Sequence, residues 1–209
     1  MSMPNTRIYL VSRSVRRREL LTQAGIRFEL LLLRSAERQD AEIDESCLAG
    51  EAPEAYVQRI ARAKAIFGVN LLLQRHLPKR LLLAADTTLD LDGEVIGKPK
   101  NRADAIAILR RLSGRSHRVL TSVVAALPHN IEPKIKSCLS VNDVTFRTLT
   151  EDEILHYVQT GEPLDKAGAY GIQGRAATFV ESIRGSYTGI VGLPLCETVL
   201  MLREFGQAV

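Results

Sequence analysis

Short apolar runs and helical stripes alternate along this chain from end to end. Residues 8–12 read as a strand, after which Ser14 can cap a helix from 15 to about 24, with Gly25 as its stop. Residues 28–33 form a further apolar run. Pro53 stands at a favoured first position for a second helix, predicted to run through Ile66. Residues 81–85 are continuously apolar, as expected of a strand buried on both faces. Beyond them Thr88, Asp90 and Asp92 alternate with Leu89 and Leu91, and Asp92-Gly93 supplies a hairpin turn. A helix is expected from Asn101 to near Ser113-Gly114, followed by long strands over 117–127 and 139–148 with a polar loop holding Pro128 and Pro133 between them. Thr150 and Glu153 compose a capping box for a helix ending near Gly161. A glycine-dense segment, a strand around 178–183 and a last helix between Pro194 and Gly206 complete the pattern. The alternation predicts an α/β fold: a mixed sheet flanked by helices, in one domain or two closely packed lobes. No linker or repeat interrupts it, so residues 1–209 are taken as a single domain.

Composition narrows the class. A chain of 209 residues, 45% hydrophobic and 25% charged, has the balance of a soluble globular protein with a full core. No apolar run approaches the roughly 20 residues that span a bilayer, and the N-terminus lacks a signal-peptide pattern, so no membrane partner is expected. Cys47, Cys138 and Cys196 are widely separated and form no CxxC pair, which fits a reduced, cytoplasmic protein. The net charge of +4 suits anionic small molecules as well as nucleic acid. There is no Lys/Arg tract with interleaved aromatics, no helix-turn-helix pattern and no zinc-finger spacing, so no stable nucleic-acid partner is expected.

Four segments could carry chemistry. In SRSVRRRELL, three consecutive arginines stand at a helix start just after Ser14, where free N–H groups and the positive end of the helix dipole meet. Such a turn is either a solvated basic surface or an anion site; positive charge there opposes the dipole unless an anion binds. Arg16 and Arg17 match phosphate oxygens in pairs. Lys64 follows Val57, Ile60 and Ala61 on the apolar stripe of the second helix, either snorkelling along the core edge or pointing into a phosphate cleft. Asp86 closes the buried run at 81–85, at the strand end where α/β folds tend to place catalytic groups, or it merely bonds the following turn. A carboxylate there can ligate Mg²⁺ or orient water. Lys98 could reach a second phosphate, or be an ordinary surface lysine. In DKAGAYGIQG, four small residues (Ala167, Gly168, Ala169 and Gly171) permit close approach of a planar ligand, and Gln173 offers a donor and an acceptor to a base edge. The alternative for this segment is a glycine-rich structural turn.

Taken together, LVSRSVRRRELL, AADTTLDLDGEVIGKP, LSGRSHRVLT, DKAGAYGIQG and IVGLPL resemble the motifs of the Maf family of nucleotide pyrophosphatases, from residue 8 to residue 202. The resemblance implies a Maf/ITPase-like fold, an elongated mixed sheet with a nucleotide cleft. It also implies hydrolysis of nucleoside triphosphates to monophosphate and pyrophosphate with a divalent cation, Mg²⁺ or Mn²⁺. By it, Asp86 is the catalytic acidic residue, and Lys64 and Lys98 are further catalytic positions. Ser14, Arg16, Arg17, Thr87 and Gln173 are substrate positions. The family carries another acidic residue after the first helix. Counting forward from Phe28 places it at Glu37, which is assigned with Asp86 to the metal; counting back from Tyr56 gives Asp44 or Glu45.

Asp86-Thr87 and Tyr170-Gly171-Ile172-Gln173 resemble the branch acting on dTTP and UTP rather than the 7-methyl-GTP branch, which tends to carry Asp-Gln. Three departures stand out. Val15 takes the place of the usual proline, Arg13 and Arg18 make the phosphate corner more basic, and Arg175 follows Gly174 where the branch often has an apolar residue. The family also suggests a homodimer. The rival class is a non-catalytic nucleotide sensor that regulates cell division, which would bind through the same residues without turnover.

Overall fold

The computed structural model describes residues 7–31, 43–129 and 131–209, together with the backbone at 34–35 and 38–39. Strand β1 (Ile8–Val11) leads into α1 (Val15–Gln23), whose first turn is capped by Ser14 Oγ accepting from Arg17 N at 3.4 Å. Next come β2 (Phe28–Leu30), the two-residue strands β3 (Arg34–Ser35) and β4 (Arg38–Gln39), and the long helix α2 (Pro53–Gln74). Strand β5 (Leu82–Leu91) turns back through Asp92-Gly93 into β6 (Glu94–Ile96). Helix α3 (Arg102–Leu112) precedes the longest strands, β7 (Ser116–Leu127) and β8 (Lys134–Phe146). The capping box of Thr150 and Glu153 starts α4 (Glu151–Gln159). The glycine-dense segment forms 3₁₀ turns, and β9 (Val180–Arg184), α5 (Tyr187–Val191) and α6 (Leu195–Glu204) close the chain.

Seven strands make one mixed sheet in the order β2-β1-β5-β7-β8-β9, with β6 added against β5. β2, β1 and β5 are parallel, and the remaining pairs are antiparallel. The α/β class and the mixed sheet with flanking helices are therefore as expected. Several boundaries are not: β8, expected over 139–148, already starts at Lys134 and ends at Phe146. Helix α2 continues past Ile66 to Gln74, because Gly68 lets it lie against Val11: a Cβ at Gly68 would stand 2.5 Å from Val11 Cγ2. The apolar run at 81–85 does not end its strand, which goes on to Leu91 along β7.

Side-chain alternation on β5 divides the core. Leu83 and Ala85, with Ile8, Leu10, Val123 and Ala125, pack under Leu20 and Leu21 of α1 and Met201 and Leu202 of α6. Leu82 and Ala84, with Tyr9, Val11, Val124 and Ala126, face Ala61, Ala65 and Leu72 of α2. Both faces of this stretch are covered, which is why it reads as unbroken apolar sequence. Farther along, Leu89 and Leu91 join Phe146 beneath α3 and α4. Each such fully buried leucine or phenylalanine contributes about 1.5–3 kcal/mol.

The same topology opens a gap. One edge of β5 is covered by β7 along nearly its whole length. Its other edge is covered by β1 only as far as Ala84, and by β6 only from Leu89. Residues 85–88 face the interval between those neighbours, and a cleft opens there.

Candidate active site

The cleft encloses about 910 Å³, an ordinary volume for a small-molecule site. Its walls come from the β1–α1 loop, the start of α1, residues 43–45, α2, the middle of β5, Gly97 and Lys98, and the 165–173 segment. Among the assigned residues within the described parts of the chain, Ser14, Arg16, Arg17, Lys64, Asp86, Thr87, Lys98 and Gln173 all line it. Glu37 lies outside the described residues.

Asp86 sits in the middle of β5 rather than at a strand end. The catalytic-end argument still applies in another form: the parallel neighbour β1 stops opposite Ala84, so Asp86 emerges just beyond the carboxyl end of that parallel pair. Its side chain is 9% exposed and accepts from Lys64 Nζ at 2.6 Å. Lys64 stands on the buried stripe of α2, after Val57, Ile60 and Ala61, and that stripe delivers its ammonium to the carboxylate. The same Nζ lies 2.6 Å from Glu45 Oε1. Of the two alternatives reached by counting back from Tyr56, Glu45 is therefore the one that contacts Lys64 beside Asp86. Asp44 is exposed, and its carboxylate accepts from Ser46 N at 2.9 Å, a backbone hydrogen bond that holds its pKa below the usual range.

Sequence reasoning missed Tyr56 as a site residue. Its hydroxyl donates to the Glu45 carbonyl at 2.9 Å, tethering the Glu45 segment to α2. Burial, with the nearby Asp86 and Glu45 charges, pushes its pKa up to about 12, so it stays a neutral donor. Its partner is a backbone carbonyl, which leaves no mark in sequence.

The arginines play different parts. Arg17 is held on every side: Nε donates to Gly192 O at 2.8 Å, Nη2 to Thr87 Oγ1 at 3.0 Å and Nη1 to Ser12 Oγ at 3.3 Å. Burial lowers its proton affinity and the Asp86 charge opposes that shift, so a guanidinium remains beside the carboxylate. Thr87 in turn shares a hydrogen bond with Thr121 Oγ1 at 2.9 Å, and Thr121 donates to Gly189 O at 2.8 Å. Among the described residues Arg16 has only a loose partner, Asp165 Oδ2 at 3.7 Å, and that carboxylate is 70% exposed. A pair of this kind is worth less than about 1 kcal/mol, so Arg16 is easily released to a phosphate. Lys98 is exposed at the rim, with no ion pair or hydrogen bond among the described residues. Positive charge at the start of α1 is thus answered partly by protein oxygens and partly left for an anion.

The 165–174 segment is built around close contacts. Gly168 has φ +71°, and a Cβ there would lie 2.5 Å from Leu89 Cδ1. Tyr170 is buried, its hydroxyl 2.8 Å from His117 Nε2, and burial raises its pKa. Burial also lowers the pKa of His117 to about 4, leaving a neutral ring. Lys166 is tied back to Glu162 O at 2.7 Å and Asp165 Oδ1 at 2.6 Å. Gln173 is left exposed to the cleft. Among the described residues no helix is long and apolar enough to cross a membrane.

Residues 7–205 match the family described as Maf-like protein. A dTTP/UTP pyrophosphatase of Dechloromonas aromatica is 56% identical over 200 residues, covering 96% of this chain and 98% of the relative. One of Aromatoleum aromaticum is 58% identical over 201 residues, 96% of each chain. One of Chromobacterium violaceum is 50% identical over 206 residues, 99% of this chain and 98% of the relative. Motifs, fold and near-full-length identity agree: the chain belongs to the Maf-like protein family.

Proposed function

We propose that this chain hydrolyses dTTP and UTP to the nucleoside monophosphate and pyrophosphate, a house-cleaning reaction carried out in the cytoplasm. The observation that carries this reading is the Lys64 ammonium set between the Asp86 and Glu45 carboxylates inside a cleft that also presents Arg16, Arg17 and Lys98. A site built only to bind a triphosphate has no need of carboxylates able to act on water. A hydrolytic site needs them, because they orient water and take its proton. The names of the relatives support the same substrates, as do Asp86-Thr87 and Gln173.

In this reaction water oxygen bonds to the α-phosphorus while the bond to the α–β bridging oxygen breaks, and that electron pair leaves with pyrophosphate. Asp86 accepts the water proton at its carboxylate, with Lys64 holding the carboxylate in place. Ser14 and the free N–H groups of the first turn of α1 receive phosphate oxygens, and Arg16, Arg17, Lys64 and Lys98 offset the charge of the leaving group. Thr87 steadies Arg17 in the substrate site, and Gln173 faces the nucleoside.

The donor set suits a hard cation. The Asp86 and Glu45 carboxylates converge on Lys64 Nζ in the cleft, and their remaining oxygens would be the ones to take the ion. Among the described residues no group of three or more His, Cys, Asp or Glu forms a self-sufficient cage. One or two carboxylates completed by substrate oxygens is the usual arrangement for Mg²⁺, and Mn²⁺ accepts the same ligands. Asp86 and Glu45 would hold the ion, with Glu37 the alternative from sequence. Bound there, it would neutralise phosphate charge. We further take the acting form to be a homodimer free of nucleic acid, which light scattering of the purified protein checks.

The test is pyrophosphate release from dTTP, UTP, CTP, GTP and 7-methyl-GTP, with Mg²⁺ or Mn²⁺ and after chelation, for wild type and Asp86→Asn. Turnover of dTTP and UTP that needs the cation and is lost in the variant supports the reading. Tight nucleotide binding without turnover of any of them would overturn it in favour of a nucleotide sensor.

A further inference from the structure

Gln173 stands in a tight turn, closed by Gly174 N donating to Gly171 O at 2.9 Å. Its own side chain has no hydrogen bond among the described residues, so the backbone beneath decides where its amide stands. Both ends of that turn are held from below. Gly171 N donates to Tyr157 Oη at 3.2 Å, and Arg175 N donates to Glu162 Oε2 at 3.3 Å. Tyr157 Oη donates to Glu162 Oε1 at 3.0 Å, joining the two anchors into one unit. Burial raises the Tyr157 pKa, which keeps its proton on the phenol for this bond. The fit is close: a Cβ at Gly174 would lie 2.0 Å from Glu162 Oε1, and one at Gly171 2.6 Å from Lys166 Cε. Tyr157 is itself fixed, 3% exposed on α4, with its ring edge-on to Phe179 at 5.1 Å.

We propose that Glu162 and Tyr157 are positioning residues for nucleobase recognition, a carboxylate–phenol clamp that grips both ends of the 171–174 turn and sets the place of the Gln173 amide. This rests on the reading of Gln173 as a residue that faces the base. A side-chain amide carries both a donor and an acceptor, so a freely moving glutamine can follow the edge of uracil or of cytosine. Holding its backbone removes that freedom and turns a permissive contact into a selective one. The rest of the segment has separate supports, Gly168 N to Gly97 O at 3.0 Å and Tyr170 to His117, so loosening the clamp acts on the turn alone.

The experiment measures kcat and KM for UTP and CTP in Tyr157→Phe, Glu162→Ala, Glu162→Gln and Gln173→Ala, and in Tyr157→Phe combined with Gln173→Ala, with the Tm of each. Tyr157→Phe keeps the ring and removes only the hydroxyl. It and Glu162→Ala are expected to raise the UTP KM about fivefold, the effect of losing one such hydrogen bond, with kcat within about twofold. The UTP-over-CTP ratio of kcat/KM falls by a similar factor. Glu162→Gln, which can still bridge Arg175 N and the phenol, recovers most of that ratio. In the Gln173→Ala background, Tyr157→Phe adds less than about twofold to the change in ratio, as residues acting through one another do. A ratio that is lost in Gln173→Ala but kept in Tyr157→Phe and Glu162→Ala overturns the clamp and leaves the base-facing role of Gln173 standing. Equal losses on UTP and CTP together with a lowered Tm also overturn it, as a merely structural effect. A ratio unchanged in Gln173→Ala itself overturns the underlying reading and the clamp with it.

Discussion

Replacing Lys64 with methionine keeps most of the side-chain volume and deletes the charge between two carboxylates. Lys64 Nζ is 2.6 Å from Asp86 Oδ1 and 2.6 Å from Glu45 Oε1, so those two oxygens stand no more than about 5 Å apart. Two unit charges at that distance repel by about 3 kcal/mol at an effective dielectric of about 20. The Glu45 side chain is 48% exposed, and water and salt screen part of that repulsion, leaving roughly 1–2 kcal/mol. Losing the attraction to the more buried Asp86 adds to this, so Lys64→Met is expected to destabilise the protein by about 2–3 kcal/mol. The assay is urea unfolding followed by far-UV circular dichroism at pH 7.5 with a chelator present, for Lys64→Met, Glu45→Gln and the double variant. Because Glu45→Gln removes the repulsion, the double variant should be more stable than the sum of the two single losses allows, by at least about 1 kcal/mol. Mg²⁺ should then restore more stability to Lys64→Met than to wild type, since a cation can stand where the ammonium stood. Strict additivity, with no extra response to Mg²⁺, would refute the picture of one ammonium holding two like charges together.

Glu45→Gln is expected to lower kcat/KM for dTTP by about a hundredfold while Glu37→Gln stays within a fewfold of wild type; steady-state kinetics showing the reverse order would return the second acidic role to Glu37. His117 has its pKa lowered from 6.5 to about 4 by burial, so the unfolded chain takes up a proton at this position before the folded one does. Its contribution is therefore complete above about pH 6.5 and lost as pH falls toward about 4, amounting to about 2 kcal/mol by pH 5. Urea midpoints between pH 7.5 and pH 5 should drop more in wild type than in His117→Phe, and parallel curves would contradict the assignment. Gly168→Ala places a Cβ 2.5 Å from Leu89 at φ +71°, combining strain with overpacking, and should lower stability by about 2–4 kcal/mol in thermal or chemical unfolding. A Tm within about 2 °C of wild type would show that Leu89 gives way freely.

Much of this site could be read from residue patterns, and the parts that could not share a cause. Lys64 was legible because a charged residue on a helix's apolar stripe is a local contradiction, and it resolves here as a bond to Asp86. Thr150 with Glu153, and Asn101, announced their helices because caps are local. The second carboxylate was different. Counting forward from Phe28 and back from Tyr56 gives different residues when the intervening segment varies in length, and only the Lys64 contact singles out Glu45 among the described candidates. Thr88 and Asp90, polar positions in the alternation with Leu89 and Leu91, are both buried; Asp90 is held by Arg118 Nε at 2.6 Å from the neighbouring strand. Arg17 reaches Gly192, 175 residues away, and Glu162 closes under Arg175. Neither bond has a periodicity to betray it.

The cleft is itself a long-range product. It exists because β1 stops beside Ala84, β6 begins beside Leu89, and β5 runs unbroken past both. That one edge left uncovered in the middle of a buried strand gives Asp86 and Thr87 their access to a ligand, while β7 behind them keeps the backbone rigid. Asp86 points to the face covered by α2, where Lys64 waits, and Thr87 to the face of Arg17 and Gly192. Adjacent residues of an extended strand thus meet Lys64 of α2 on one side and Arg17 of α1 on the other. A substitution that shifts β5 by one residue against β7 would exchange those faces and disable both at once, so the register of a strand is as much a part of this site as any of its charged groups.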